Sequence, residues 1–217
     1  MDRAVLWDLD GTIVDSAEQH WQSWVEALEA EGLTVTREQF RATFGQRNDR
    51  ILKSWLGSRA TADLIDRIGN AKEKAYRRIM RAAGLEPLAG VGAWIDRLHR
   101  DGWRQAIASS APRLNVEAVV EILDWSRYFA AIASGDDVTA GKPNPQVFLV
   151  AAGRLGVPPA RCIVVEAAAV GVEAARRGGM RSIAVGRTAE ALGADLAVAS
   201  LDMLPADAFD HLVPRSG

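Results

Sequence analysis

With a single cysteine, Cys162, the chain cannot close an internal disulfide, which fits a protein of the reducing cytoplasm. No apolar run approaches the length of a membrane span. The first apolar stretch, Ala4 to Trp7 between Asp2 and Asp8, is too short for a secretory leader. A surplus of charge is also missing. Lys and Arg number 26 against 28 Asp and Glu, a net charge of -2, which favours neither nucleic acid nor a membrane surface as partner. Internal repeats and low-complexity segments are absent as well. What is present is an ordinary globular balance, 48% hydrophobic and 25% charged. Its 217 residues suffice for one large core, or a core with a small accessory module.

Short apolar runs alternate with longer amphipathic stretches, the pattern of a parallel sheet flanked by helices. Strands are predicted at 4–7, 104–108, 130–133, 162–165, 182–185 and 196–199. Most are followed at once by small or polar residues and a helical pattern. The fold class expected is α/β, a Rossmann-like three-layer sandwich whose ligands sit at the carboxyl ends of the strands. One interval breaks the rhythm. Roughly 95 residues separate the first two strands, far more than one crossover needs. Helices are predicted there at 16–31, 37–44, 49–56 and 61–83, punctuated by Gly32, Gly45, Gly57 and Gly84. The expected division is a core of residues 1–15 and 85–217, with an all-helical cap at 16–84 overhanging the strand ends.

Chemistry-bearing residues collect at those ends. Asp8-Leu9-Asp10-Gly11-Thr12 follows the first strand, and helix capping accounts for only one of its two carboxylates. Ser109-Ser110 ends the second strand and offers hydroxyls. After the third comes Gly141-Lys142-Pro143, with the lysine expected at a helix start because proline follows it. Glu166 ends the fourth. Acid pair, hydroxyl, lysine and acid thus point into one crevice.

In these residues the chain resembles the haloacid dehalogenase superfamily, and within it the β-phosphoglucomutase-like phosphatases with a helical cap. Asp8 to Thr12 looks like the first motif of that superfamily, Ser109 the second, Lys142 the third and Glu166 the start of the fourth. The likeness runs over nearly the whole chain. It implies a magnesium-dependent phosphotransferase in which Asp8 attacks phosphorus and carries the group as an acyl phosphate. Asp10 would protonate the leaving oxygen and then deprotonate water. Ser109 and Lys142 would meet the charged phosphoryl oxygens, with Gly11, Thr12 and Ser110 completing the cradle. Magnesium would be held by Asp8, Asp10 and Glu166, separating two anions that otherwise repel. Dehalogenase and phosphonate-cleaving relatives lack the second acid, so Asp10 favours phosphate esters.

The fourth motif departs from the family. It normally carries two adjacent acids, but here Ala167 follows Glu166, and Ala169 and Val170 supply no substitute. An introduced knock-out, an enzyme in which Glu166 serves alone, and an inactive binder all remain open. In the helical stretch, His20 matches a position where β-phosphoglucomutase also has histidine, and substrate or structural roles both fit. Trp21 and Trp24 read as cap core. The loop Gly45-Gln46-Arg47-Asn48 is suited to selecting substrates. Arg47 either meets a distal anion of the substrate or faces solvent. The mutase carries a lysine before this glycine, where Phe44 stands here, which sets a phosphatase ahead of a mutase. Arg113 is ambiguous, Asp136 and Asp137 read as capping or solvated residues, Cys162 reads as core, and His99 and His211 show no partner pattern. The expectation is hydrolysis of a small phosphorylated metabolite by a monomer. A phosphosugar mutase and a non-catalytic phosphometabolite binder are the rivals.

Overall fold

A computed structural model describes residues 2–215, leaving Met1 and the last two residues of the C-terminal Leu-Val-Pro-Arg-Ser-Gly run outside the described residues. The chain divides into two compact units, Met1–Asp15 with Glu86–Gly217, and Ser16–Leu85.

The first unit is built on a parallel six-stranded sheet of order β3-β2-β1-β4-β5-β6. Its strands are β1 (Ala4–Trp7), β2 (Arg104–Ala108), β3 (Ala131–Ala133), β4 (Cys162–Glu166), β5 (Arg181–Val185) and β6 (Leu196–Val198). All lie within one or two residues of the predicted runs. All four residues of β1 are fully buried, as a central parallel strand covered on both faces requires. Alternation along β1 separates the two faces. Ala4 and Leu6 join Phe148, Ala151 and Leu155 in one apolar cluster. Trp7 instead packs on Phe209, with ring centroids 6.5 Å apart. Its indole N–H donates to Gln105 Oε1 at 2.9 Å, and the Gln105 amide donates in turn to the carbonyl of Ile95, so this buried polar pair is satisfied.

The second unit holds α1 (Ala17–Glu29), α2 (Arg37–Thr43), α3 (Asn48–Leu56) and α4 (Ala62–Ala83). Local chemistry sets their ends. Thr36 and Gln39 form a reciprocal capping box at the start of α2, and the Thr61 hydroxyl accepts from the Leu64 N–H at the start of α4. Gly57 and Gly84 cap the C-termini of α3 and α4. Trp24, Leu28, Phe40, Leu52 and Ile68 form the core of this unit, with Trp21 packed against it. The remaining helices belong to the first unit: α5 (Val91–Arg100), α6 (Arg113–Ile122), α7 (Gln146–Leu155), α8 (Ala169–Arg177) and α9 (Ala208–Leu212).

The chain order reverses between β1 and β4: β1 to β3 run one way across the sheet, β4 to β6 the other. In open α/β sheets such a switch point opens a crevice beyond the carboxyl ends of the strands. Trp7 is in register with Ile107 and with Val165, so the next residues, Asp8, Ala108 and Glu166, share one level at that edge.

Candidate active site

Asp8 leaves β1 while its N–H still bonds the Val165 carbonyl at 3.0 Å, so its carboxyl group starts from a fixed point of the sheet. The chain then folds sharply. The N–H groups of Thr12, Ile13 and Val14 all reach the carbonyl of Leu9, and the Gly11 N–H bonds Val14 at 2.8 Å. Gly11 takes a φ of 83°, a left-handed conformation that glycine adopts without strain. Leu9 is buried between the two aspartates, while Asp10 is only half-buried.

Lys142 Nζ donates to Asp8 Oδ1 and to Glu166 Oε1, each at 2.6 Å. All three side chains are buried. Burial works against the charge on Lys142, but attraction to Asp8 and Glu166 outweighs it and raises the pKa of the ammonium. Burial, then repulsion from Glu166, pushes the Asp8 carboxyl up to about 7, with Lys142 opposing. Two carboxylates, those of Asp8 and Glu166, thus share one ammonium.

The lysine does not stand at a helix start as expected. Helix α7 begins only at Gln146, and Lys142 lies in the turn before it. The competing interaction is local: Asn144 Oδ1 accepts from the Gln146 N–H, and Gln146 Oε1 folds back onto the N–H groups of Thr139 and Ala140. That closed loop, with the Phe148 ring 4.8 Å from the ammonium, holds the lysine in place of a helix terminus.

Ser109 follows β2 and is buried, its N–H bonded to the Ala133 carbonyl at 3.0 Å. Its hydroxyl oxygen accepts from the Ala111 N–H at 3.1 Å, which shapes the turn through half-buried Ser110. Asp136 and Asp137 are structural. Asp136 accepts from the Arg113 N–H at the start of α6, and Asp137 pairs with Arg113 and Arg154. Arg154, and with it Ser134 and Arg113, hold Asp137 below the usual carboxylate range. The role left open for Arg113 is therefore filled by this cluster.

The donor set suits a hard cation at Asp8 and Asp10, because the negative charge there exceeds what Lys142 supplies. Among the described residues no group of three or more His, Cys, Asp or Glu side chains gathers around one point. A cation here would therefore keep several waters, as magnesium does readily. Glu166 has both oxygens engaged, one by Lys142 and the other by the Ala168 N–H at 2.7 Å. Ala167 beside it is half-buried.

The other two predicted residues belong to the helical unit. Arg47 precedes α3, is half-buried, and its Nε lies 3.3 Å from Asp49 Oδ1. His20 is buried in α1, stacked on Tyr76 with centroids 3.9 Å apart, and its Nδ1 lies 2.8 Å from Lys72 Nζ. Lys72 also donates to Glu73 Oε1, which accepts from the Asn48 amide. Burial opposes ionisation of Glu73, but Lys72, His20 and Asn48 together hold its pKa below the ordinary value. This buried polar cluster escaped the sequence reading, which predicted a helix at 61–83 and singled out no residue in it. A signal existed: Ile68, Lys72, Tyr76 and Met80 recur at four-residue spacing, so the lysine stands in the apolar stripe.

Comparison with known proteins agrees with this architecture. Residues 3–179 match the family model described as haloacid dehalogenase-like hydrolase. The chain is 34% identical to the protein CbbY of Rhodobacter capsulatus over 171 residues, covering 74% of this chain and 75% of that protein. It is 30% identical to the β-phosphoglucomutase of Bacillus subtilis over 202 residues, covering 90% and 88%. The structure aligns with CbbY from Rhodobacter sphaeroides, solved in complex with xylulose-(1,5)bisphosphate, at a TM-score of 0.86 and 28% identity, covering 94% of this chain and 96% of that one. Among the described residues no helix is long and apolar enough to cross a membrane.

Proposed function

The chain belongs to the haloacid dehalogenase-like hydrolases, and from that premise we propose that it hydrolyses a small phosphate monoester, a sugar phosphate or similar metabolite, through Asp8. The observation that carries this reading is the Asp8–Lys142–Glu166 contact at the switch point of the sheet. A carboxylate and an ammonium held together at a strand end are what an attacking group and an electrostatic clamp for phosphoryl oxygens require.

In the first step an Asp8 oxygen attacks phosphorus. The new O–P bond forms as the ester P–O bond breaks, and Asp10 gives its proton to the departing alkoxide. In the second step Asp10 takes a proton from water, the water oxygen attacks phosphorus, and the aspartyl O–P bond breaks to release phosphate and restore Asp8. Lys142 and Ser109 would hold the phosphoryl oxygens throughout. Magnesium, held by Asp8 and the main-chain carbonyl of Asp10, would offset the repulsion between carboxylate and phosphate when bound.

The helical unit would choose the substrate. CbbY was solved with a sugar bisphosphate, and a second anion is what Arg47 would meet. Phe44 stands where the resemblance puts a mutase lysine, and its ring packs edge-on against His20, with centroids 5.8 Å apart. The absence of that lysine, rather than the ring contact, is what supports hydrolysis over phosphoryl return to a sugar intermediate. Ala167 supports a second reading, a binder that turns its ligand over poorly.

A panel of phosphorylated metabolites, assayed with magnesium for both free phosphate and isomerised product, separates these. Phosphate release alone supports the hydrolase. Accumulation of a phosphorylated isomer marks a mutase, and ligand-dependent stabilisation without turnover marks a binder.

A further inference from the structure

Gly171 lies within α8, in ordinary helical backbone, so its conformation does not call for glycine. Its surroundings do. A Cβ added there would fall 1.8 Å from Glu166 Oε1, 2.0 Å from Cδ and 2.6 Å from Cγ. The Glu166 carboxylate therefore lies directly against the bare Cα of Gly171. In that position one oxygen meets Lys142 and the other meets the Ala168 N–H at the first turn of α8. Ala168 is the N-cap of that helix, Glu166 accepts from its otherwise orphan N–H, and the helix end favours the negative charge.

We propose that Gly171 is a positioning residue of the phosphoryl site: by leaving room for the Glu166 carboxylate it fixes the Lys142 ammonium against Asp8. The inference rests on the phosphotransfer reading of that site and adds how its lysine is held. The backbone of Glu166 is fixed by its pairing with Ala184, so a side chain at 171 must be met by rotation of the Glu166 side chain away from its present place. Displacing it removes one of the two anions that keep a buried lysine charged and directed.

The test compares the parent with Gly171→Ala, Glu166→Ala and the double variant. Calorimetry in a buffer containing magnesium reads the affinity for inorganic phosphate, and thermal unfolding reads stability. Gly171→Ala is expected to weaken phosphate binding about tenfold, the scale of one charge-assisted hydrogen bond, and to lower Tm. In the Glu166→Ala background the same exchange should change phosphate affinity little and leave Tm level or higher, because alanine favours a helix over glycine. Parental affinity in Gly171→Ala, or an equal loss in both backgrounds, overturns the proposal. If the parent binds no phosphate, the hydrolytic reading itself fails, and a crystal structure of Gly171→Ala decides the positioning role. Glu166 displaced and Lys142 drawn off Asp8 supports it; both unmoved refutes it.

Discussion

Lys142 Nζ sits 2.6 Å from Asp8 Oδ1 although 134 residues separate them in the chain, and the same ammonium meets Glu166 at 2.6 Å. Asp8 reaches this contact from the end of β1, and Lys142 reaches it from the loop before α7 that the Gln146 side chain closes. Replacing Asp8 with Asn keeps the shape but removes the anion proposed to attack phosphorus. Turnover of any phosphate ester should fall to the uncatalysed level, while circular dichroism stays that of the parent. A variant that hydrolyses at the parental rate would end the mechanism.

The metal-free protein should also show the cost of burying Asp8. In the unfolded chain this carboxyl ionises near 3.8, and in the folded protein only near 7. A raised folded pKa means that the group's contribution to stability is full below the unfolded value and is lost as pH rises through the folded one. In a chelating buffer, Asp8→Asn should therefore gain Tm relative to the parent as pH rises between about pH 4 and about pH 7. Parallel Tm curves for the two proteins would show that Asp8 ionises normally. Added magnesium should narrow the difference, since a cation favours the anion.

Ala167 stands where the resemblance places a magnesium-binding acid. Ala167→Asp adds an oxygen donor next to Glu166, whose own oxygens are taken by Lys142 and the Ala168 N–H. The magnesium concentration for half-maximal activity should fall, by about tenfold if one hard oxygen ligand is gained, and activity at low magnesium should rise. Equal magnesium dependence of the two forms would show that position 167 is no ligand site.

Arg47 lies in the helical unit, where its Nε pairs with Asp49. If it meets a second anionic group, Arg47→Ala should raise KM for a sugar bisphosphate by about tenfold and leave KM for an aryl phosphate unchanged. Equal changes on both substrates would assign the arginine to the surface of its unit.

Much of this was legible in the chain. Each strand is a short apolar run followed by a polar turn, so its end, and the acid or hydroxyl there, could be placed to within a residue or two. Asp8, Ser109 and Glu166 were found in this way. The setting of Lys142 was not, because its loop is closed by the Gln146 side chain, a choice between competing acceptors that periodicity does not report. The His20–Lys72 contact spans 52 residues and buries a lysine that composition alone assigns to solvent. The close approach of Glu166 to Gly171 depends on a side-chain rotamer, which no spacing rule encodes.

The central claim, a phosphoryl group carried on Asp8, is tested most directly by trapping it. An aryl phosphate has a good leaving group and needs little protonation, so its transfer to Asp8 should survive Asp10→Asn, whereas the second step still needs the missing base. Rapid acid quench of this variant with radiolabelled p-nitrophenyl phosphate and magnesium should yield a stoichiometric, hydroxylamine-labile phosphate that peptide mapping places on Asp8. Continued release of phosphate at the parental rate, with no label on the protein at any quench time, would contradict the account.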